Sequence, residues 1–251
     1  MKSVRNGEDF LMITQLRRGA EIALLGLAVC VGASLSASAA TTLTVGKANP
    51  TSDAIIPVDV GDQLGMFKKH GLDLKIIDFG GGSKMAQAVA AGSLDIGDGA
   101  GTEMALVAKG APMLAICESA GPAPFVGVGV PWDSPIKTAA DLKGKTIGVS
   151  SSGSFSEWLA HELARKEGWG ESGVTTIAIG GSSAANVAAF RAHQVDAGIT
   201  SASLFLALEE TKEGRFLLPA SSYESPGNGG VWRHSRLDGP RLRRGGPPTL
   251  A

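Results

Sequence analysis

Cysteine is nearly absent: the 251 residues hold two, Cys30 and Cys117. A disulfide-stapled fold is excluded, and so is a structural zinc site built from several thiolates. Neither sign of charge dominates. Lys and Arg total 23 against 24 Asp and Glu, a formal net charge of −1, so no basic field exists to hold a polyanion, and nucleic acid is excluded as a partner. No apolar run approaches the roughly 20 residues needed to cross a bilayer core. Aromatic residues make up only 5 % of the chain, whereas glycine is abundant at 35 residues. That balance predicts many tight strand–helix turns and close helix–sheet packing. Disorder is excluded, because periodic Val/Ile/Leu/Ala segments run almost throughout. The length suits one large domain or two smaller ones.

The N-terminal 40 residues read as an address. Arg17 and Arg18 precede an apolar run from Ile22 to Val31, and small residues follow to Ser36-Ala37-Ser38-Ala39-Ala40. This is the order of a secretory signal peptide, with cleavage expected after Ala40; a short membrane anchor is the alternative. Cys30 is not a lipid-attachment cysteine, since it lies inside the apolar run behind Val29. Met12 is a plausible start, with the preceding residues an upstream extension. Cys117, in the strand-like run Pro112 to Cys117, is expected to be a buried, inert thiol.

An internal repeat about 100 residues long organises the rest. The first copy runs from a strand at Leu43–Gly46 through a helix containing Val60, Leu64 and Phe67, closed by Gly71. A strand over Leu72–Phe79 follows, then a helix opened by Gly80–Ser83 with Met85 and Val89 on one face. Leu94-Asp95-Ile96-Gly97, a helix over Thr102–Ala108 and a strand over Met113–Cys117 complete it. The second copy starts at Thr146–Val149, and Ser154 with Glu157 has the spacing of a capping box. A helix ending near Gly168, a strand over Val174–Ile179 and a helix opened by Gly180–Ser183 follow. Val195-Asp196-Ala197-Gly198 then fills the slot of Leu94–Gly97, ahead of a helix over Leu204–Glu210 and a strand over Phe216–Leu218. Alternating short strands and helices predict an α/β fold of two lobes, each a mainly parallel sheet covered by helices. The extended run Phe125–Val130 is suited to crossing between them.

In open α/β sheets ligands bind beyond the carboxyl ends of the strands, where loops lead into helix N-termini carrying unpaired N–H groups. In both copies these loops are built from Gly, Ser and Thr. The candidate ligand-binding residues are Thr51, Ser52, Asp53, Ser83, Gly101, Thr102, Ser152, Gly153, Ser154, Thr200 and Ser201, although each hydroxyl would serve equally as a plain N-cap. No Arg or Lys stands among these loops, and an anion held by backbone N–H groups and hydroxyls is compatible with the pattern. Catalytic and cofactor patterns fail. Ser151 sits at a strand-to-helix turn, but Val149 occupies the first Gly of a nucleophile elbow. Thr102 takes the third Gly of a dinucleotide fingerprint. His70, His161 and His193 lack metal-ligand spacing. Asp95 and Asp196 hold matching slots, which assigns them a fold role.

Three segments carry a resemblance to a known family. Gly65-Met66-Phe67-Lys68-Lys69-His70-Gly71-Leu72-Asp73 is similar to a helix-to-strand link of the form G-x-F-x-x-x-G-L-D. Gly81-Gly82-Ser83 followed by Ala91 to Gly97 resembles the next helix and strand, and Asp141 to Val149 resembles the entry to a second lobe. Together, over residues 43–222, they resemble the type-2 periplasmic binding proteins, in particular the nitrate/sulfonate/taurine group with the SsuA/THI5-like domain. The resemblance implies periplasmic location, closure of two lobes on a small solute, and docking of a monomer to the permease and ATPase of an ABC importer, with no cofactor. The same fold also carries THI5-like pyrimidine-precursor synthases, so an enzyme is the alternative. A sensory input module would need membrane and output segments outside this pattern. The implied organisation is a signal over 1–40, a first lobe over 41–125, a second over 126–222 and a tail over 223–251. From Pro226 the chain holds five Arg, six Gly and four Pro against one acid. That stretch is expected to be a patternless tail, from a frameshift or truncation that leaves the first lobe incomplete; a natural basic tail is the alternative.

Overall fold

Short apolar runs separated by amphipathic helices favour parallel strands joined by helical crossovers, and the computed structural model has this arrangement twice. It describes residues 40–50, 54–99, 101–122, 126–223 and 227–237. The first half runs β1 (Thr41–Lys47), α1 (Ile56–Gln63), α2 (Met66–Lys69), β2 (Leu72–Asp78), α3 (Gly82–Ala90), β3 (Ile96–Gly99), α4 (Thr102–Ala108) and β4 (Met113–Pro122). The second runs β5 (Val126–Pro131), β6 (Thr146–Val149), α5 (Phe155–Lys166), β7 (Thr175–Ala178), α6 (Ser183–Arg191), β8 (Ala197–Ser201), α7 (Ala202–Glu210) and β9 (Gly214–Pro219), before a last strand, β10 (Gly227–His234).

The described strands form two five-stranded sheets, in the orders β2-β1-β3-β10-β4 and β7-β6-β8-β5-β9. The two orders are the same when the halves are superimposed in sequence. In each, the fourth strand is antiparallel to both neighbours and is the first strand laid down after the chain leaves the other lobe. The expected crossing segment is therefore β5, which runs between β8 and β9. β10 makes the reciprocal return, and this corrects the expectation of a patternless tail: residues 227–234 lie between β3 and β4 of the first sheet. Local propensity did not favour a strand there. Pairing on both sides does, with register irregularities at Gly229/Gly230 and Val231/Trp232.

Helix faces match their spacing. Met85 and Val89 on α3 are fully buried against Ile55, Leu94 and Met113, and Leu159 and Leu163 on α5 join the core around Val128, Val130 and Ile147. Glycines on the strands permit this approach: a β-carbon on Gly97 would collide with Met85 and Val89, and one on Gly129 with the Phe205 ring. The helix expected through Val60, Leu64 and Phe67 is instead two short ones, because Gly65 adopts φ 66° between them, a left-handed conformation that stops an α-helix. Val60 and Leu64 are exposed.

The expected burial of Cys117 is also corrected. Cys117 is exposed, as are Leu114 and Ile116, because β4 is an edge strand with β10 as its only sheet neighbour among the described residues.

The fold role of the two repeated aspartates is explicit. The Asp95 carboxylate accepts the Thr44 N–H at 2.8 Å, while the Asp95 N–H donates to the Thr44 carbonyl. Asp196 does the same to Thr146, also at 2.8 Å. Asp95 thus locks the turn before β3 to the middle of β1, and Asp196 the turn before β8 to the first residue of β6. Asp95→Ala and Asp196→Ala are each expected to cost about 1–3 kcal/mol, the value of a hydrogen bond to a charged group. Urea unfolding midpoints check this, and ligand affinity should not change.

Candidate ligand-binding site

The carboxyl ends of both sheets face each other, and direct hydrogen bonds join the lobes there. The Ser83 hydroxyl donates to the Ser152 carbonyl at 2.7 Å and lies 2.8 Å from the Ser151 hydroxyl. The Gly181 N–H donates to the Gly80 carbonyl at 3.1 Å. Behind these ties lies a cavity of about 60 Å³. The first lobe contributes Ala48, Asn49, Ile55 and Gly82. The second contributes Ser150, Ser154, Phe155, Ser156, Gly181, Ile199, Thr200 and Ser201, and Val126 at the crossover closes the lining.

Five helices begin at this cavity, with Ile55 at the N-cap of α1. Gly82 opens α3, Ser154 caps α5, Ser201 holds the N-cap position of α7 without a side-chain cap bond, and Gly181 precedes the Ser182 cap of α6. Their N-terminal N–H groups give the cavity a partial positive potential without a charged side chain. The hydroxyls are linked as well. Ser156 Oγ accepts from the Ser150 N–H at 2.9 Å and lies 2.9 Å from Ser154 Oγ, and Ser203 donates to Ser201 at 3.1 Å. No described lining residue carries a carboxylate, imidazole, amine or guanidinium. Such a site suits an anion held by N–H and O–H donors.

Ser154, Thr200 and Ser201, expected from the sequence, line this cavity. Ser83 binds across the cleft, and Ser152 takes part through its carbonyl while its hydroxyl donates to Glu157. Gly101, Thr102 and Gly153 line a neighbouring groove, which also includes Ser154. The Thr102 hydroxyl is buried without a partner among the described residues. It faces Gly82, whose β-carbon position is 3.1 Å away. Thr51, Ser52 and Asp53 lie outside the described residues. The capping box at Ser154 is half formed: the Glu157 N–H donates to Ser154, but the Glu157 carboxylate accepts the Gly153 N–H instead of the Ser154 N–H. Phe155 and Ser156 were missed, although they directly follow the cap. Ile199 was missed as an ordinary strand residue.

Charge gathers at the ends of β1, β2 and β3, outside the cavity lining. The Lys47 ammonium, 5 % exposed as a residue, bonds Asp59 at 2.8 Å and Asp78 at 3.2 Å. Burial alone would lower its pKa, but the two carboxylates more than offset this and raise it. Asp98 and Glu103 are buried too. Burial pushes the Asp98 carboxyl up to about 6, against the Ser119 hydroxyl donating to it at 3.2 Å. Burial pushes Glu103 up to about 7, with the Gly101 N–H donating to one oxygen. Its other oxygen has no partner among the described residues.

Two mixed five-stranded sheets of identical order, exchanging one strand each around a cleft with helix N-termini on both sides, define the two-lobed fold of the type-2 periplasmic binding proteins. The family model described as NMT1/THI5 like matches residues 53–226, and the chain belongs to this family. A Brucella abortus (strain 2308) protein described as a binding protein is 31 % identical over 163 residues, covering 65 % of this chain and 49 % of its own length. The chain thus spans about half the length of the curated relatives it matches. A solved structure from Bordetella bronchiseptica RB50 superimposes with TM-score 0.69 at 30 % identity, covering 78 % of this chain and 64 % of that one. The alkanesulfonate-binding protein SsuA of Xanthomonas axonopodis pv. citri, bound to MOPS, gives TM-score 0.67 at 24 % identity, with 78 % and 66 % covered.

Proposed function

We propose that the chain is the solute-binding component of an ABC importer, working in the periplasm and closing its two lobes on a small anionic solute for delivery to the membrane permease and its ATPase. The observation that carries this reading is the cavity between the lobes, where helices from both sides present N–H and hydroxyl donors and the described lining has no ionisable side chain. An anion there gains hydrogen bonds from both lobes only when they are closed, so binding and closure are one event. Catalysis gains no support from the same lining, which offers no carboxylate, imidazole or amine to move a proton. The Brucella and Xanthomonas relatives, described as binding proteins, point the same way.

Titration calorimetry with nitrate, methanesulfonate, sulfate and acetate tests the proposal. At least one should bind with a single site, and Thr200→Val, which removes a cavity hydroxyl at nearly constant volume, should weaken it about tenfold, the value of one hydrogen bond to an ion. Binding of none of them, or full affinity in Thr200→Val, would count against the anion site.

A further inference from the structure

We propose that the groove beside the cavity is the part of the binding site that receives a flat apolar group, so that the solute is an organic anion carrying a single aromatic ring rather than a bare inorganic oxyanion. This rests on the anion reading of the cavity given above.

The cavity of about 60 Å³ has room for a compact anionic head and little more. The groove measures about 510 Å³, and Ser154 and Phe155 stand in the walls of both. A solute whose head meets the N-terminus of α5 therefore has a continuous way out along that helix. The groove is built from both lobes. Gly101, Thr102, Met104 and Ala105 of α4 and its approach form one wall, and Phe155 and Trp158 of α5 form the other.

The chemistry of those walls selects the occupant. Phe155 and Trp158 stack, with ring centroids 5.7 Å apart and planes at 26°. Trp158 is 43 % exposed, and Met104 opposite is 47 % exposed. Indole and thioether surfaces left open toward each other favour a third flat, polarisable group between them. Trp132 is equally exposed yet lines neither the cavity nor the groove, so exposure alone does not single out Trp158. The Glu157 carboxylate and His161 also line the groove. Glu157 accepts from the Gly153 N–H at 2.6 Å and the Thr176 hydroxyl at 3.1 Å, and its negative charge suits the groove to the neutral ring while the anionic head stays in the cavity. Lys109 at the rim adds a cation.

The experiment compares methanesulfonate, benzenesulfonate and neutral benzamide by titration calorimetry on the purified full chain and on Trp158→Ala and Trp158→Phe. Benzenesulfonate should bind wild type at least about 30-fold more tightly than methanesulfonate, in line with the stacking energy of an aromatic pair plus its buried area. In Trp158→Ala that advantage should fall to within about threefold while methanesulfonate affinity stays unchanged, and Trp158→Phe should keep most of it. A ring that brings no gain in wild type, or a gain that survives Trp158→Ala, overturns the aromatic groove and leaves the anion cavity standing. Benzamide binding as tightly as benzenesulfonate overturns the anionic half of the proposal, and with it the reading of the cavity. If neither sulfonate binds, the aromatic groove falls, and the anion reading stands or falls with nitrate, sulfate and acetate.

Discussion

Replacing Gly81 with alanine is expected to hold the two lobes apart and to weaken solute binding by about tenfold to a hundredfold, equivalent to roughly 1.4–3 kcal/mol. Gly81 has an extended backbone, φ 170°, so alanine is not strained there. The obstacle is across the cleft. A β-carbon at position 81 would lie 2.6 Å from the Ser151 β-carbon and closer still to its hydroxyl, inside van der Waals contact. Ser151 is buried, and the bonds from Ser83 to Ser151 and Ser152 flank the point of collision. The chain can relieve the clash only by opening the cleft at the place where closure is made. Calorimetric affinity measures the loss, and X-ray scattering with saturating solute should show a larger radius of gyration than wild type. The double variant Gly81→Ala, Ser151→Gly removes the opposing β-carbon and should recover affinity to within about threefold. Wild-type affinity in the single variant would show that the contact between Gly81 and Ser151 is not part of the solute-bound form.

The second large effect is on stability against pH. Glu103 and Asp98 have folded-state values of about 7 and about 6, raised above their ordinary 4.5 and 3.8 by burial. Between the ordinary and the raised values the folded state holds protons that the unfolded chain has released, so stability falls as pH rises through that window. The favourable, protonated condition is fully present below about pH 4 and is lost by about pH 7. For Glu103 alone the loss is on the order of 3 kcal/mol. Glu103→Gln keeps the shape and removes the charge. It should be more stable than wild type at pH 8, close to it at pH 5, and flatter between them in thermal or urea unfolding. An unchanged pH profile would show that Glu103 stays ionised or finds a partner when folded.

The parts of this architecture that were legible in the sequence are those fixed by near neighbours. Ser154 caps its helix, and Gly71 and Gly168 take positive φ at helix ends as expected, because caps depend on residues three or four positions away. Asp95 and Asp196 were legible as a pair through the repeat, although only the structure supplies their partners at Thr44 and Thr146. What escaped was fixed from far away. β10 has glycines, a tryptophan and an arginine in no alternating order, and partners contributed long before it set its place. Cys117 was correctly placed on a strand and wrongly expected to be buried, since nothing local marks an edge. Lys47 escaped because it sits on a strand, outside the ligand loops, and only the pairing of β1 with β2 and the position of α1 bring Asp78 and Asp59 to it. Phe155 and Trp158 lie one turn apart on α5, and the opposite wall that makes them a groove comes from the other lobe.

The exchange of single strands between the sheets has a consequence for how the chain comes off the ribosome. Among the described residues, every strand of the second sheet lies within residues 126–219, so that sheet can form as soon as its own segment has been made. The first sheet starts with Thr41 yet stays split, with β4 separated from β3, until residues 227–234 arrive to be inserted between them. The half synthesised first therefore receives its antiparallel strand β10 only after all the described strands of the second sheet have been made. Loop closure over so long a span is slow compared with pairing inside one lobe. Until it happens, the facing edges of β3 and β4 are open to any other strand that reaches them first.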